Sequence, residues 1–109
     1  MIEINSVSFK QWAENEALEN ITTVVVTSSN CPKCELLKEK ADDIFNEQTG
    51  WLVLGWGDVS AAEVLSSLDI MSSPSVIIKK NQELQKVQFD LNDTSFQSLK
   101  DALREQHLM

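Results

Sequence analysis

The chain has 109 residues, of which 42% are hydrophobic and 24% charged, as in an ordinary globular domain. Seventeen acidic against nine basic residues give a formal net charge of −8, and such a negative field repels phosphate backbones and anionic lipid headgroups. We therefore expect one domain over residues 1–109, with neither nucleic acid nor a membrane as partner, and the acidic surface favours a monomer.

Two features of the sequence indicate a reducing compartment. Residues 1–5 lack the basic stretch and apolar core of a secretory signal peptide, and no apolar run approaches the ~20 residues that would span a bilayer. We therefore expect a cytoplasmic protein, whose surroundings keep thiols reduced. A bridge between Cys31 and Cys34 would close a very short loop and remove little entropy from the unfolded chain, so stability is a poor explanation for the pair.

Secondary-structure elements are predicted from the spacing of apolar residues and from helix-capping residues. Unbroken β-branched runs predict central strands that are covered on both faces. In chain order the predicted elements are a strand at 2–4, a helix from a Ser8 cap to about residue 20, a strand at 22–27, a helix from Cys31 and Pro32 towards Gly50, a strand at 51–56, a helix at 60–68, strands at 75–80 and 84–89, and a helix opened by residues 94–97.

The order of these elements predicts how the strands pair. Strands separated by helices are expected to run parallel, and the last two strands are expected to form an antiparallel hairpin. The predicted fold class is α/β, with a mixed central sheet and helices on both faces. Trp12, Trp51 and Trp56 are predicted to belong to the core.

The motif that can carry chemistry is Cys31-Pro32-Lys33-Cys34, between a predicted central strand and a predicted helix. Only a thiolate attacks a disulfide, and the unpaired N–H groups and positive dipole end at a helix start favour a negative sulfur. Lys33 adds a nearby positive charge, which together with the helix start should lower the pKa of the Cys31 thiol. Pro32 supports the site by stiffening the turn, which influences how readily the internal disulfide forms. Cys34, one turn on and deeper, can resolve a mixed disulfide by intramolecular attack.

Three classes of function fit two cysteines at this spacing. A CxxC between strand and helix inside a βαβ pattern favours thiol–disulfide exchange, with no cofactor besides the cysteines. A metal site is less favoured, because a closed zinc site needs four ligands and the sole histidine is His107, near the C-terminus. The third class is an inert pair, in a binding or adaptor domain with little redox turnover.

The chain resembles the thioredoxin superfamily over nearly its whole length. The resemblance rests on residues 31–34 in their strand–helix context and on Ser-Ser-Pro-Ser-Val-Ile-Ile at 72–78. In this family the proline of the second motif is cis and lies beside the CxxC. The resemblance implies a thioredoxin-like fold, a cis bond before Pro74, and a Ser73 backbone that pairs with an extended substrate segment. The alternative is that Pro74 merely begins an edge strand.

Departures from the family pattern leave the electron donor open. Thioredoxins usually carry Trp-Cys-Gly-Pro-Cys, and Cys-Pro-x-Cys is closer to glutaredoxins, but the Gly-Gly glutathione-binding segment of glutaredoxins is absent. Val25 stands where the family has a buried aspartate that accepts the proton of the resolving cysteine. The resemblance implies disulfide-containing protein substrates, with a thioredoxin reductase or a low-molecular-weight thiol as reductant.

Overall fold

The computed structural model describes residues 2–14, 21–45, 48–54, 59–70, 73–80, 83–90, 92–93 and 95–107. Within these ranges, five strands form one sheet: β1 (Ile2–Ile4), β2 (Thr23–Ser28), β3 (Thr49–Leu54), β4 (Ser75–Lys80) and β5 (Glu83–Val87). The helices are α1 (Ser6–Glu14), α2 (Pro32–Glu39), α3 (Ala41–Ile44), α4 (Val59–Ser67) and α5 (Gln97–His107). None of these described helices has the length and apolar character needed to cross a lipid bilayer.

The strands lie in the order β1-β3-β2-β4-β5, so β2 occupies the centre of the sheet. β3 runs parallel to both β1 and β2, and β4 forms an antiparallel hairpin with β5. The predicted mixed sheet is therefore confirmed. The prediction that all strands separated by helices run parallel is wrong for β4, which pairs antiparallel with β2.

The register of the sheet explains the direction of β4. Ser28 and Leu54 pair at the carboxyl ends of β2 and β3, and Ser75 begins β4 opposite Val26. The carboxyl end of β3 and the amino end of β4 therefore lie on the same side of the sheet, at the ends of the strands. For β4 to run parallel to β2, the connection would have to carry the chain back along the length of the strands, and the connection containing α4 does not do so.

The central strand β2 has an apolar layer on each face. Since successive side chains of a strand alternate, Val24 and Val26 pack in one cluster with residues of α1 and α4, and Val25 packs in another with residues of α2, α3 and α5. The first cluster consists of Phe9, Trp12, Ile21, Val24, Val26, Leu52, Ala61, Val64, Leu65, Ile70 and Ile77. The second consists of Val25, Leu37, Ala41, Phe45, Trp51, Val76, Ile78, Val87, Phe96, Leu99 and Leu103. The predicted helices on both faces are confirmed.

The first helix begins before Ser8, the residue predicted to cap it. Asn5 caps it instead: its Oδ1 atom accepts the Ser8 N–H at 2.8 Å, and its carbonyl accepts the Phe9 N–H at 2.9 Å. The prediction of a Ser8 cap is therefore wrong, since Asn5, one turn earlier and also a residue type favoured at this position, accepts the first-turn N–H groups. Residues 15–20, over which this helix was predicted to continue, lie outside the described residues.

The predicted helix from Pro32 towards Gly50 is interrupted and shorter. Lys40, with φ −99° and ψ 3°, separates α2 from α3. Gly50 lies inside β3, where a Cβ atom would come within 3.1 Å of the Cδ1 atom of Ile4 on β1. Glycine at this position therefore permits a close approach of β1 and does not end a helix.

Two of the three tryptophans are in the core, as predicted; Trp56 lies outside the described residues. Trp12 is fully buried and Trp51 nearly so. The Trp12 Nε1 group donates to the Ile21 carbonyl at 2.7 Å. Lys79 Nζ donates to the Trp12 carbonyl and lies 5.6 Å from the centre of the indole ring. These contacts tie α1 to the start of β2 and to β4.

The start of α5 is held by the carboxylate of Asp93. It accepts hydrogen bonds from the Ser95 hydroxyl at 2.6 Å, the Ser95 N–H at 3.1 Å and the Ser98 N–H at 3.1 Å. These bonds, that from the Ser95 hydroxyl first, hold the pKa of the Asp93 carboxyl below its ordinary value of 3.8. Thr94, part of the predicted cap, lies outside the described residues.

Asp93→Asn should lower the free energy of unfolding at neutral pH, and the difference from the wild-type protein should disappear in acid. Because the folded-state pKa is depressed, the carboxylate's contribution is present above the ordinary value of 3.8 and is lost as the pH falls through the lower folded value. Urea unfolding of both proteins, followed by circular dichroism across this pH range, measures the difference. Glu105→Gln, which removes an exposed carboxylate from α5 itself, is the control. A difference that did not shrink with acid would show that the charge of Asp93 contributes nothing.

Candidate active site

Cys31 and Cys34 are joined in a disulfide, and their Cα atoms lie 5.2 Å apart. Cys31 is the N-cap residue of α2, with an extended backbone (φ −117°, ψ 99°), and its carbonyl accepts the Glu35 N–H at 3.2 Å. Pro32 follows in the first turn, where a missing N–H leaves no bond unmade. Asn30, before Cys31, has φ 57°, a left-handed conformation that asparagine tolerates. The disulfide therefore closes the first turn of the helix that follows β2.

The two sulfur-bearing residues differ in exposure. Cys34 is buried, with 4% of its surface exposed, whereas Cys31 is partly exposed. The predicted difference in depth is confirmed. An external disulfide can therefore approach the pair from the Cys31 side only, and this asymmetry is what distinct attacking and resolving thiols require.

One backbone N–H group at the start of α2 donates to the sulfur of Cys31. The Cys34 N–H donates to Cys31 Sγ at 3.1 Å; it belongs to the first turn, whose N–H groups have no partner within the helix. If the disulfide opens, negative charge on Cys31 Sγ would develop at this N–H and at the positive end of the α2 dipole. Lys33 and Glu35 are both exposed on this turn; the assistance from Lys33 stays a prediction.

A second segment of the chain lies against Cys31. Ser73 stands 42 positions further along, and its carbonyl oxygen and its Oγ atom are 3.8 Å and 3.7 Å from Cys31 Sγ. The Ser73–Pro74 peptide bond is cis, and Pro74 is buried. Because β4 lies between β2 and β5, the alternative that Pro74 begins an edge strand is wrong. The structure therefore brings together the two motifs on which the resemblance rests.

Ser28 also belongs to the site, although it was not among the site residues predicted from the sequence. It is the last residue of β2, and its Oγ atom lies 2.8 Å from Ser73 Oγ. The signal available in the sequence was its position, since residues at the carboxyl ends of neighbouring parallel strands meet at one edge of a sheet. Its contact with Ser73 depends on the direction of β4, which the sequence did not predict.

Val25, where the resemblance implies a buried aspartate, is surrounded by apolar side chains. Val25 is fully buried in the same cluster as Leu37 of α2. The central strand therefore offers hydrocarbon there, and no carboxylate. Within the described residues, no three His, Cys, Asp or Glu side chains converge as a metal site would require.

The geometry defines a class of site: a disulfide at a helix start, with one accessible and one buried cysteine, beside a cis X–Pro loop. Comparison of the sequence with models of protein families and with curated proteins gives no match. The functional assignment therefore rests on the site itself.

Proposed function

We propose that this protein is a thiol–disulfide oxidoreductase of thioredoxin-like architecture, in which Cys31 and Cys34 exchange electrons with disulfides of protein or small-molecule substrates. The observation that carries the proposal is the Cys31–Cys34 disulfide at the start of α2, with Cys31 partly exposed and Cys34 buried. A bridge across so short a loop restricts the unfolded chain less than a longer one would, so exchange explains the pair better than stabilisation does.

The proposed reductive reaction has two steps. The Cys31 thiolate attacks one sulfur of the substrate disulfide; a bond forms between the two sulfurs, the substrate S–S bond breaks, and the other substrate sulfur leaves as a thiolate that takes a proton from solvent. Cys34 then gives its proton to solvent and attacks Cys31 Sγ. The second substrate thiolate leaves, and the Cys31–Cys34 disulfide forms. The substrate gains two electrons and the protein loses two.

The surroundings of Cys31 favour its thiolate. The Cys34 N–H at 3.1 Å donates to Cys31 Sγ, and a hydrogen bond to a charged group contributes about 1.5–3 kcal/mol. The start of α2 adds its dipole, Pro32 fixes the first turn, and Lys33 supplies a positive charge. The N–H group and the helix dipole would both favour the charged sulfur in the reduced protein, and a larger thiolate fraction raises reactivity at neutral pH.

The Ser73–Pro74 loop is proposed to guide the substrate. The Ser73 carbonyl lies 3.8 Å from Cys31 Sγ, so an extended segment that pairs with the Ser73 backbone would bring its own sulfur next to Cys31. Disulfide-containing proteins are the proposed substrates, and the cytoplasm is the proposed location of the protein. The proposed electron donor is a thioredoxin reductase or a low-molecular-weight thiol, with no cofactor besides the two cysteines.

One observation favours a second candidate, a binding or adaptor domain with little redox turnover. In thioredoxins a buried aspartate accepts the proton of the resolving cysteine, and here Val25 occupies that position with no exposed surface. Release of the Cys34 proton then relies on water or on the departing substrate thiolate, which would slow the resolving step.

Reduction of insulin disulfides by dithiothreitol separates the two candidates. We expect catalytic amounts of the protein to accelerate the reaction, and the variant with both Cys31→Ser and Cys34→Ser, which keeps the rest of the surface, to have no effect. Parallel assays with a thioredoxin reductase system and with a glutathione system identify the electron donor. A folded wild-type protein that accelerated none of these reactions would overturn the oxidoreductase proposal and favour the binding domain.

A further inference from the structure

Two serine hydroxyls near the carboxyl end of β2 form a line that ends at the sulfur of Cys31. Ser28 Oγ lies 2.8 Å from Ser73 Oγ, and Ser73 Oγ lies 3.7 Å from Cys31 Sγ. The sheet register creates this line: Val26 pairs with Ser75 in antiparallel strands, so the positions two residues outward on each strand stand opposite each other. Ser28 and Ser73 are both half-buried.

Which hydroxyl donates and which accepts follows from the number of protons that each carries. A serine hydroxyl has one proton to donate and two lone pairs that accept. When the Ser73 hydroxyl donates to Cys31 Sγ, its oxygen can only accept from Ser28. The hydrogen bonds then run from the Ser28 hydroxyl to Ser73 Oγ, and from the Ser73 hydroxyl to Cys31 Sγ.

We propose that Ser28 is a positioning residue: its hydroxyl holds the Ser73 hydroxyl aimed at Cys31 Sγ and thereby stabilises the negative charge that this sulfur carries when the disulfide opens. The inference rests on the proposed function of Cys31. In the reduced protein the thiolate is a far stronger acceptor than a disulfide sulfur, so the Ser73 bond strengthens. Donation from Ser28 polarises the Ser73 hydroxyl, and hydrogen bonds in such a chain reinforce one another.

The hydroxyl line complements the backbone donor at the same sulfur. The Cys34 N–H approaches Cys31 Sγ from the helix at 3.1 Å, and the Ser73 hydroxyl approaches from the loop before β4. The Cys31 thiolate would therefore receive hydrogen bonds from two separate elements. Stabilising the thiolate also stabilises the reduced protein relative to the disulfide, so Ser28 should make the protein a stronger oxidant.

The test is the pH dependence of the alkylation rate of Cys31 in the reduced protein, with the modified residue identified by mass spectrometry. Ser73→Ala removes a hydrogen bond to a charged group, so we expect the thiolate fraction below neutral pH to fall about tenfold. Ser28→Ala leaves the Ser73 hydroxyl in place but free to rotate, so a fall of about threefold is expected. Ser28→Thr keeps a hydroxyl, so its thiolate fraction should stay close to that of the wild-type protein.

Thr27→Val is the matched control, because Thr27 lies next to Ser28 on β2 and its hydroxyl donates to the Leu52 carbonyl at 2.7 Å, away from the sulfur. It should destabilise the fold while leaving the pKa of the Cys31 thiol unchanged. If Ser28→Ala left that pKa unchanged, or if Ser28→Thr raised it as much as Ser28→Ala, the inference would be overturned. Alkylation needs no turnover, so this result is independent of whether the protein reduces insulin.

Discussion

Cys31→Ser should abolish disulfide exchange, whereas Cys34→Ser should leave the protein able to attack a substrate and unable to release it. The reason is the difference in exposure: Cys31 is reachable from solvent and Cys34 is 4% exposed. Without Cys31 no accessible sulfur remains in the motif. Without Cys34 the mixed disulfide on Cys31 has no internal thiol to resolve it. Both variants should reduce insulin no faster than dithiothreitol alone.

The two variants are each other's control in a trapping experiment. Each is reduced, mixed with a disulfide-containing protein, blocked with an alkylating agent and examined by non-reducing electrophoresis and intact mass. We expect a covalent adduct with Cys34→Ser that disappears on reduction, and none with Cys31→Ser. Full insulin reduction by Cys31→Ser would show that the roles are assigned wrongly, and so would an adduct formed preferentially through Cys34.

Trp12→Ala should give the largest loss of stability among single changes in α1. Trp12 is fully buried, its ring lies 6.1 Å from that of Phe9, and its Nε1 donates to the Ile21 carbonyl at 2.7 Å. Removing the ring leaves a cavity and an unpaired carbonyl, and changes of this kind cost about 3–5 kcal/mol. The measurement is the free energy of unfolding in urea.

Two further variants separate the contributions of Trp12. Trp12→Phe keeps an aromatic ring but loses the donor to Ile21, and should cost about 1–3 kcal/mol. Val53→Ala, at a strand residue that is 52% exposed, should change stability by only about 0.5 kcal/mol. Truncation of a buried aromatic side chain costs about 3–5 kcal/mol, so a loss below about 1 kcal/mol for Trp12→Ala would contradict the packing of α1. Below its unfolding transition this variant should still exchange disulfides, because Trp12 packs on the face of the sheet opposite α2.

Local patterns predicted most of the architecture because burial leaves a direct trace in the sequence. The unbroken run Val24-Val25-Val26 reads as a strand covered on both faces, and the two clusters show that its alternate side chains serve different layers. The disulfide position was also predictable, since a CxxC between a strand and a helix places both sulfurs within one turn. These features depend on residues close together in the chain.

The features that escaped prediction depend on residues far apart or on near-equal local choices. Asn5 and Ser8 are both suitable helix caps by residue type, and the hydrogen bond from the Ser8 N–H to Asn5 shows that Asn5 takes the role. The antiparallel direction of β4 follows from where the chain re-enters the sheet, which no local pattern records. The contact of Ser28 with Ser73 follows from that direction. A parallel β4 would not have placed these two hydroxyls opposite each other.

The most direct test of the central claim is to find which sulfur reacts first. Fully reduced wild-type protein is mixed rapidly with oxidised glutathione, quenched with acid at successive times, and mapped by peptide mass spectrometry. We expect glutathione to appear first on Cys31 and then to be displaced as the Cys31–Cys34 disulfide forms, with release of a second glutathione. First appearance of glutathione on Cys34, or reaction at neither cysteine while the protein stays folded, would contradict the account.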